Sequence, residues 1–244
     1  MLQPKKIKKP AFENDDRERD INADYTVPVY IETSKLNWQA SPAPGVRRKR
    51  LELINAGEPR LTTLVEFLPG SSFNRHGHDC GDEFLVLSCV FSDAYGDYGA
   101  GSYVRNPPGS FHAPFTEEGC VILVKLRQFQ SMDRKRVVID SNATTTRWSS
   151  TGEPGVSCLR LHKFAKEQVC LYRIYAQCWI TNRCYNEGVE IFVYEGSISI
   201  ADEDYPEGAW LRYPAGTRLM IKSVEGARIY MKQGGFLSRS AQQA

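Results

Sequence analysis

An offset of 107 residues maps one half of this chain onto the other. It carries Glu83 to Glu190, Gly101 to Gly208, Pro107 to Pro214, Gly109 to Gly216 and Lys125 to Lys232. The text around these anchors agrees, with Glu83-Phe84-Leu85-Val86-Leu87 against Glu190-Ile191-Phe192-Val193-Tyr194 and Gly101-Ser102-Tyr103-Val104-Arg105 against Gly208-Ala209-Trp210-Leu211-Arg212. Upstream, Trp38 with Pro44-Gly45-Val46 recurs as Trp148 with Pro154-Gly155-Val156. Self-similarity of this kind means two copies of one structural unit. The segments Val27–Ile31, Leu61–Phe67, Phe84–Phe91, Val121–Leu126, Cys170–Ile180, Ile191–Ile200 and Arg228–Met231 are short and rich in β-branched and aromatic residues. Gly, Pro, Asn or Asp separates them. That pattern predicts an all-β chain of barrels or sandwiches.

One stretch of the first copy carries chemistry. Gly70–Glu83 reads G-S-S-F-N-R-H-G-H-D-C-G-D-E, and Gly101–His112 reads G-S-Y-V-R-N-P-P-G-S-F-H. His76, His78, Glu83 and His112 form a candidate ligand set of three imidazoles and one carboxylate, suited to zinc, iron(II), manganese or nickel. Side chains two apart on a strand share a face, so His76 and His78 can grip one ion. Glu83 lies an odd five positions beyond His78, and Asp79-Cys80-Gly81 is expected to reset the register so that Glu83 joins them. His112 arrives from a distant strand behind the rigid turn Pro107-Pro108-Gly109. The chain has four histidines, and the fourth, His162, matches no motif and reads as structural.

These two motifs, with their glycines and Pro108-Gly109 spacing, resemble the two-part signature of the cupin superfamily. Cys89 stands near where the first motif usually ends in Gly, and Thr116 where the second often ends in Asn. The words Asp82–Leu87, Val90-Phe91-Ser92-Asp93, Tyr103–Ser110 and Gly119–Leu126 are similar to the ChrR-like cupins, and that similarity runs from about Ile21 to the C-terminus. It implies two tandem jelly-roll barrels joined near Asp140–Thr146: a charged tail over 1–20, a metal-binding cupin over 21–140 and a second cupin over 141–244. At the shared offset Arg183, Tyr185 and Leu219 stand where His76, His78 and His112 do, and only Glu190 survives. One divalent metal per chain is therefore expected. Arg183 is expected to pair with Glu190, and the second pocket to serve packing or to hold an organic ligand.

The resemblance implies two functions. One is a non-haem iron dioxygenase for a diketone, hydroxyaryl ketone or similar small carbonyl compound, in which Glu83 occupies a position catalysis needs or swings away to act as base. The other is a zinc-bound stress sensor related to anti-sigma factors. Those carry an N-terminal zinc domain, for which this sequence has no His or Cys before His76, so sensing would act through a separate partner. Cys80, two residues from His78, is the candidate oxidation handle.

The 244 residues are 41% hydrophobic with a formal net charge of +2, enough for a core and with no excess of basic charge to attract nucleic acid. No run approaches the ~18 apolar residues of a membrane span, and Met1–Pro10 lacks the apolar region of a signal peptide. Seven cysteines without a C-x-x-C pair fit a cytoplasmic protein with reduced thiols. Met1 to Asp20 alternates Lys5, Lys6, Lys8 and Lys9 with Asp15, Asp16, Glu18 and Asp20, a mixed charge run expected to be mobile or packed on a neighbour. The expected partner is a small molecule, with homodimerisation left open.

Overall fold

The computed structural model describes residues 20–55 and 59–236. Apart from Asp20, the charged N-terminal tail lies outside the described residues. Almost all regular structure is β, with one 3₁₀ turn at Thr33–Lys35. The opening strand β1 is Val29–Glu32. It is followed by β2 Gln39–Ala40, β3 Val46–Ile54, β4 Arg60–Phe67, β5 His76–His78, β6 Asp82–Asp93, β7 Gly96–Gly99, β8 Ser102–Asn106, β9 Ser110–His112, β10 Cys120–Leu126 and β11 Val137–Asp140. The later strands are β12 Ser149–Ser150, β13 Val156–Phe164, β14 Glu167–Ile174, β15 Cys178–Tyr185, β16 Val189–Ile200, β17 Glu203–Pro206, β18 Ala209–Tyr213, β19 Thr217–Ser223 and β20 Ala227–Gln233. The single segment expected over Cys170–Ile180 is two strands, because Gln177 turns the chain with a left-handed φ of 59°.

Two compact units result. The first is built on Leu36–Thr146, where an antiparallel sheet runs β11-β8-β6-β10-β4-β3-β2 and β5 pairs with β9 in a separate ribbon. Strand alternation points Val65, Phe67, Phe84, Val86, Ile122 and Val124 into one apolar cluster, closed by Phe91 and Tyr98. The second unit takes Arg147 onward, with a sheet β1-β18-β16-β20-β14-β13-β12 and a facing β15-β19 pair. Its larger core gathers Tyr172, Ile180, Val193, Leu211, Ile221 and Ile229.

The repeat is faithful in register but not in membership. β11 adds to β8 with Val137 opposite Arg105, whereas β1 adds to β18 with Val29 opposite Arg212. These are equivalent strands in equivalent places, so each copy's opening strand completes the other copy's sheet. Asp24–Lys35, expected in the first domain over 21–140, accordingly belongs to the second unit, while residues 21–23 stay with the first. Val29 and Ile31 are buried there, and the Thr33 hydroxyl donates to the Gly208 carbonyl at 2.7 Å.

The departure noted at Cys89 also has a structural meaning. Cys89 lies two residues beyond a bulge at Leu87 in β6, with φ 53°, and its counterpart is Gly196 with φ 73°. A Cβ on Gly196 would come within 2.2 Å of the Gly226 carbonyl oxygen, so the second unit keeps glycine where the first tolerates cysteine.

Candidate metal centre

β5 and β9 form the ribbon that carries the three histidines. Their antiparallel register sets His76 opposite His112 and His78 opposite Ser110. His76 and His78, two apart, therefore share a face with His112, and the three ring centroids lie 4.7, 4.9 and 4.8 Å from one another. One ligand atom from each of the three lies within 4.8 Å of the others, the only such group of metal-capable side chains among the described residues.

The outer nitrogens of His76 and His112 are held. His76 Nδ1 lies 2.8 Å from the Asn74 carbonyl, which can only accept, so this ring nitrogen carries the proton and Nε2 keeps its lone pair. His112 Nδ1 faces Asp93 Oδ2 at 3.3 Å, and Asp93 is itself fixed by the Tyr95 N–H and the Tyr98 hydroxyl. Burial works against Asp93 ionising, but these hydrogen bonds outweigh it and hold the carboxyl below its ordinary range. His78 Nδ1 is 3.8 Å from Asp82 Oδ1. Carboxylates and carbonyls behind imidazoles are what orients metal-binding histidines.

Inside this ring of acceptors, His78 Nε2 and His112 Nε2 are 2.9 Å apart. Since Asp93 fixes the His112 tautomer, one proton or one cation can sit between them. Burial first, then the neighbouring His112, His76 and Arg127 charges, push His78 down to about 3, and burial lowers His76 as well. A charged imidazolium is thus disfavoured near neutral pH. Three converging imidazole nitrogens fit a borderline divalent ion, whose bond lengths of about 2.0–2.1 Å place ligand nitrogens roughly 3.3 Å apart.

Glu83 is not in the cluster, which corrects the four-ligand expectation. The turn after β5 is closed by the Gly81 N–H donating to the His78 carbonyl at 3.0 Å, and β6 starts at Asp82. Gly81 has φ 73°, and a Cβ there would lie 2.9 Å from the Asn106 carbonyl oxygen and 2.6 Å from Phe129, so the turn requires glycine. The turn does reset the register, but it delivers Asp82, which lines the cavity beside the histidines, and alternation sends Glu83 to the opposite face. There Glu83 Oε2 accepts from Arg105 Nη1 and the Tyr103 hydroxyl, each at 2.5 Å, and Arg105 Nη2 reaches Asp133 at 2.7 Å. Asp82 is deeply buried. Burial raises it to about 6, offset in part by His112 and the Asn106 amide.

The second unit repeats the frame without the donors. Arg183 pairs Leu219 and Tyr185 pairs Thr217 in the β15–β19 register that matches the histidine ribbon. Arg183 does not meet Glu190: its Nη2 is 2.5 Å from Glu153 Oε2, while Glu190 accepts from Trp210 Nε1 at 2.9 Å on the other face of β16. The glutamate shared by both copies has a different explanation. Glu83 lies between Arg105 and Lys125 on its neighbouring strands, and Glu190 between Arg212 and Lys232. Each sheet thus carries a buried acid flanked by two cations. Glu83→Gln should therefore leave metal content at the wild-type level, read by elemental analysis. Because it removes one of the two carboxylates on the buried Arg105 guanidinium, it should cost about 3 kcal/mol in denaturant titration. His162 is buried on β13 opposite Val169 and lies outside the histidine cluster. Cys80 is half-buried, and none of the seven cysteines forms a disulfide.

The cluster opens on a cavity of about 100 Å³ lined by His76, His78, His112, Asp82, Arg48 and Thr63, and otherwise by hydrocarbon from Val46, Val65, Phe84 and Ile122 among others.

The ChrR Cupin-like domain family model matches the chain twice, over residues 26–130 and 134–237. No curated protein matches it in sequence. Among solved structures, a putative dioxygenase from Nostoc punctiforme superposes with a TM-score of 0.70 at 14% identity, over 87% of this chain and 84% of that one. The putative glyoxylate-induced protein of Pseudomonas aeruginosa gives 0.69 at 13% identity, covering 95% and 94%. Salicylate 1,2-dioxygenase from Pseudoaminobacter salicylatoxidans gives 0.64 at 11% identity, covering 89% and 84%. At such identities the likeness concerns the fold. No helix among the described residues is long and apolar enough to cross a membrane.

Proposed function

The chain belongs to the ChrR Cupin-like domain family, and from that premise we propose that its first unit is a single-metal centre for dioxygen-dependent oxidation of a small carbonyl compound. The observation that carries this reading is the three-histidine face with Glu83 withdrawn from it. Three protein ligands leave coordination positions for substrate and dioxygen, whereas a closed four-ligand site serves structure.

His76, His78 and His112 would hold the ion through Nε2, and the Asn74 carbonyl and Asp93 would keep the first and last of these rings turned toward it. A bound iron(II) supplies Lewis acidity toward a substrate oxygen and redox chemistry toward dioxygen. The hydrocarbon walls keep bulk water from the reacting atoms. Asp82 Oδ1 is buried without a hydrogen-bond partner and lines the same cavity, so it is the atom suited to take a proton from a carbonyl substrate's acidic C–H. The second unit has no comparable group among the described residues, which supports one metal per chain.

The test is anaerobic reconstitution with iron(II), verification of one iron per chain, and oxygen-electrode measurement across β-diketones and hydroxyaryl ketones. Oxygen uptake that needs both iron and substrate, and is absent with zinc, is expected. Verified iron without uptake from any member of the panel would overturn the catalytic reading. Zinc retained by the purified protein together with that silence would turn it toward the sensor.

A further inference from the structure

The basic run Arg47-Arg48-Lys49-Arg50 on β3 is accounted for except at one position. Arg47 forms an ion pair with Glu66, Lys49 lies over the Trp38 ring with Nζ 4.5 Å from its centre, and Arg50 Nη1 donates to Gln39 Oε1 at 2.5 Å. Strand alternation turns Arg48 the other way from Arg47 and Lys49, into the wall of the histidine cavity beside Val46, Thr63 and Val65. Among the described residues no acceptor or acid is paired with its guanidinium, which is half-buried. The Thr63 hydroxyl donates to the Lys49 carbonyl at 2.9 Å, and no hydrogen bond joins it to Arg48. The charge that faces Arg48 is another cation, Arg50.

A fold gains nothing from this arrangement. Withdrawing a guanidinium from water costs free energy that only a partner returns, and the second copy has no need of it: the equivalent of Arg48 at the Trp38-to-Trp148 offset is Cys158. Burial together with the Arg50 charge disfavours the cationic form of Arg48, and a bound anion would relieve both. The cavity therefore has three parts. The imidazoles and Asp82 offer metal-directed and proton-accepting atoms, hydrocarbon lines the middle, and Arg48 presents a fork of donors matched to a carboxylate.

We propose that Arg48 binds the carboxylate of the substrate, so that the centre acts on a small oxo-acid rather than on a neutral ketone. This rests on the three-histidine reading for the substrate's other end. The cavity volume of about 100 Å³ suits a small ligand.

The probe is a matched pair, 2,4-dioxopentanoate and its methyl ester, which share the diketone and differ in the charge. Calorimetric titration of zinc-loaded protein avoids turnover. Wild type should bind the acid at least tenfold tighter than the ester. Arg48→Met should bring the two within threefold of each other, and Arg48→Lys should restore part of the preference. Because Arg48→Met removes an unpaired charge, its melting temperature should equal or exceed that of wild type. The wild-type comparison itself needs no variant to fold. Equal affinities in wild type, or a preference that survives in Arg48→Met, overturn the assignment. Zinc content is measured on the same samples. A protein that takes up no zinc defeats the metal reading. The acid-to-ester preference is then measured on the metal-free protein, where a tenfold preference lost in Arg48→Met still supports the carboxylate site and equal affinities still overturn it.

Discussion

His112→Ala should purify without bound metal and fail to take it up, whereas His162→Ala should match the wild type. His112 stands directly opposite His76, and its Nε2 is 2.9 Å from that of His78, so its removal leaves two donors on one strand. Loss of a partner behind a ligand typically costs 10–100-fold in affinity, and loss of the ligand itself should exceed ~100-fold on that scale. Asp93→Asn should consequently fall between His112→Ala and wild type, since it keeps the imidazole but weakens the acceptor behind Nδ1. Glu83→Gln should not appear in the series at all. The same order should emerge from the rise in melting temperature on adding metal, in which Glu83→Gln, although less stable itself, should match wild type. Metal bound to the folded state adds RT ln(1 + [L]/Kd), about 4 kcal/mol at a thousandfold excess over Kd, and added zinc should raise the melting temperature of wild type but not of His112→Ala. Stoichiometric metal in His112→Ala would dismiss the three-histidine centre. A loss in Glu83→Gln equal to that in His112→Ala would return Glu83 to the ligand set.

The histidines are legible in the sequence because strand parity is simple. A His-x-His pair shares a face, and Pro107-Pro108-Gly109 brings the third donor alongside. Glu83 misleads because parity across a turn depends on which residue restarts the strand. The Gly81-to-His78 hydrogen bond makes that residue Asp82. The repeat holds a clue: Glu190 outlasts all three histidine equivalents and keeps Arg212 and Lys232 beside it, the pattern of a buried ion cluster and not of a ligand without its metal. The Arg183–Glu190 pairing fails for the same reason, since the two side chains lie on different faces. Arg48 cannot be singled out from a run of four basic residues until the partners of the other three are known. The exchange of opening strands leaves no trace in the pattern at all. Val29 and Ile31 alternate as required whichever sheet they join.

That exchange makes the largest structural prediction. Removing residues 1–35 should destabilise the second unit, although the cut lies at the end of the chain nearest the first. β1 buries Val29 and Ile31 against β18, and at ~1.5–3 kcal/mol for each fully buried aliphatic side chain this contributes about 3–6 kcal/mol. The same segment supplies the Asp24 carbonyl that accepts from Arg212 at 2.9 Å, the Tyr25 ring 4.1 Å from that guanidinium, and the Thr33 bond to Gly208. Against a typical total of 5–15 kcal/mol, their loss approaches the whole stability of a unit. It also turns β18, with Trp210 and Leu211 fully buried, into an open edge prone to association. Hydrogen exchange should accordingly accelerate in Val189–Ile200 and Ala209–Tyr213. The first unit loses only the cover of Ile21 over Leu53 and Leu61, so Asp82–Asp93, whose sheet is completed by β11, should keep its protection, and metal binding should persist. Removal of residues 1–19 alone is the control and should leave both regions protected. Loss confined to the first unit would mean that β1 does not pair with β18 in solution.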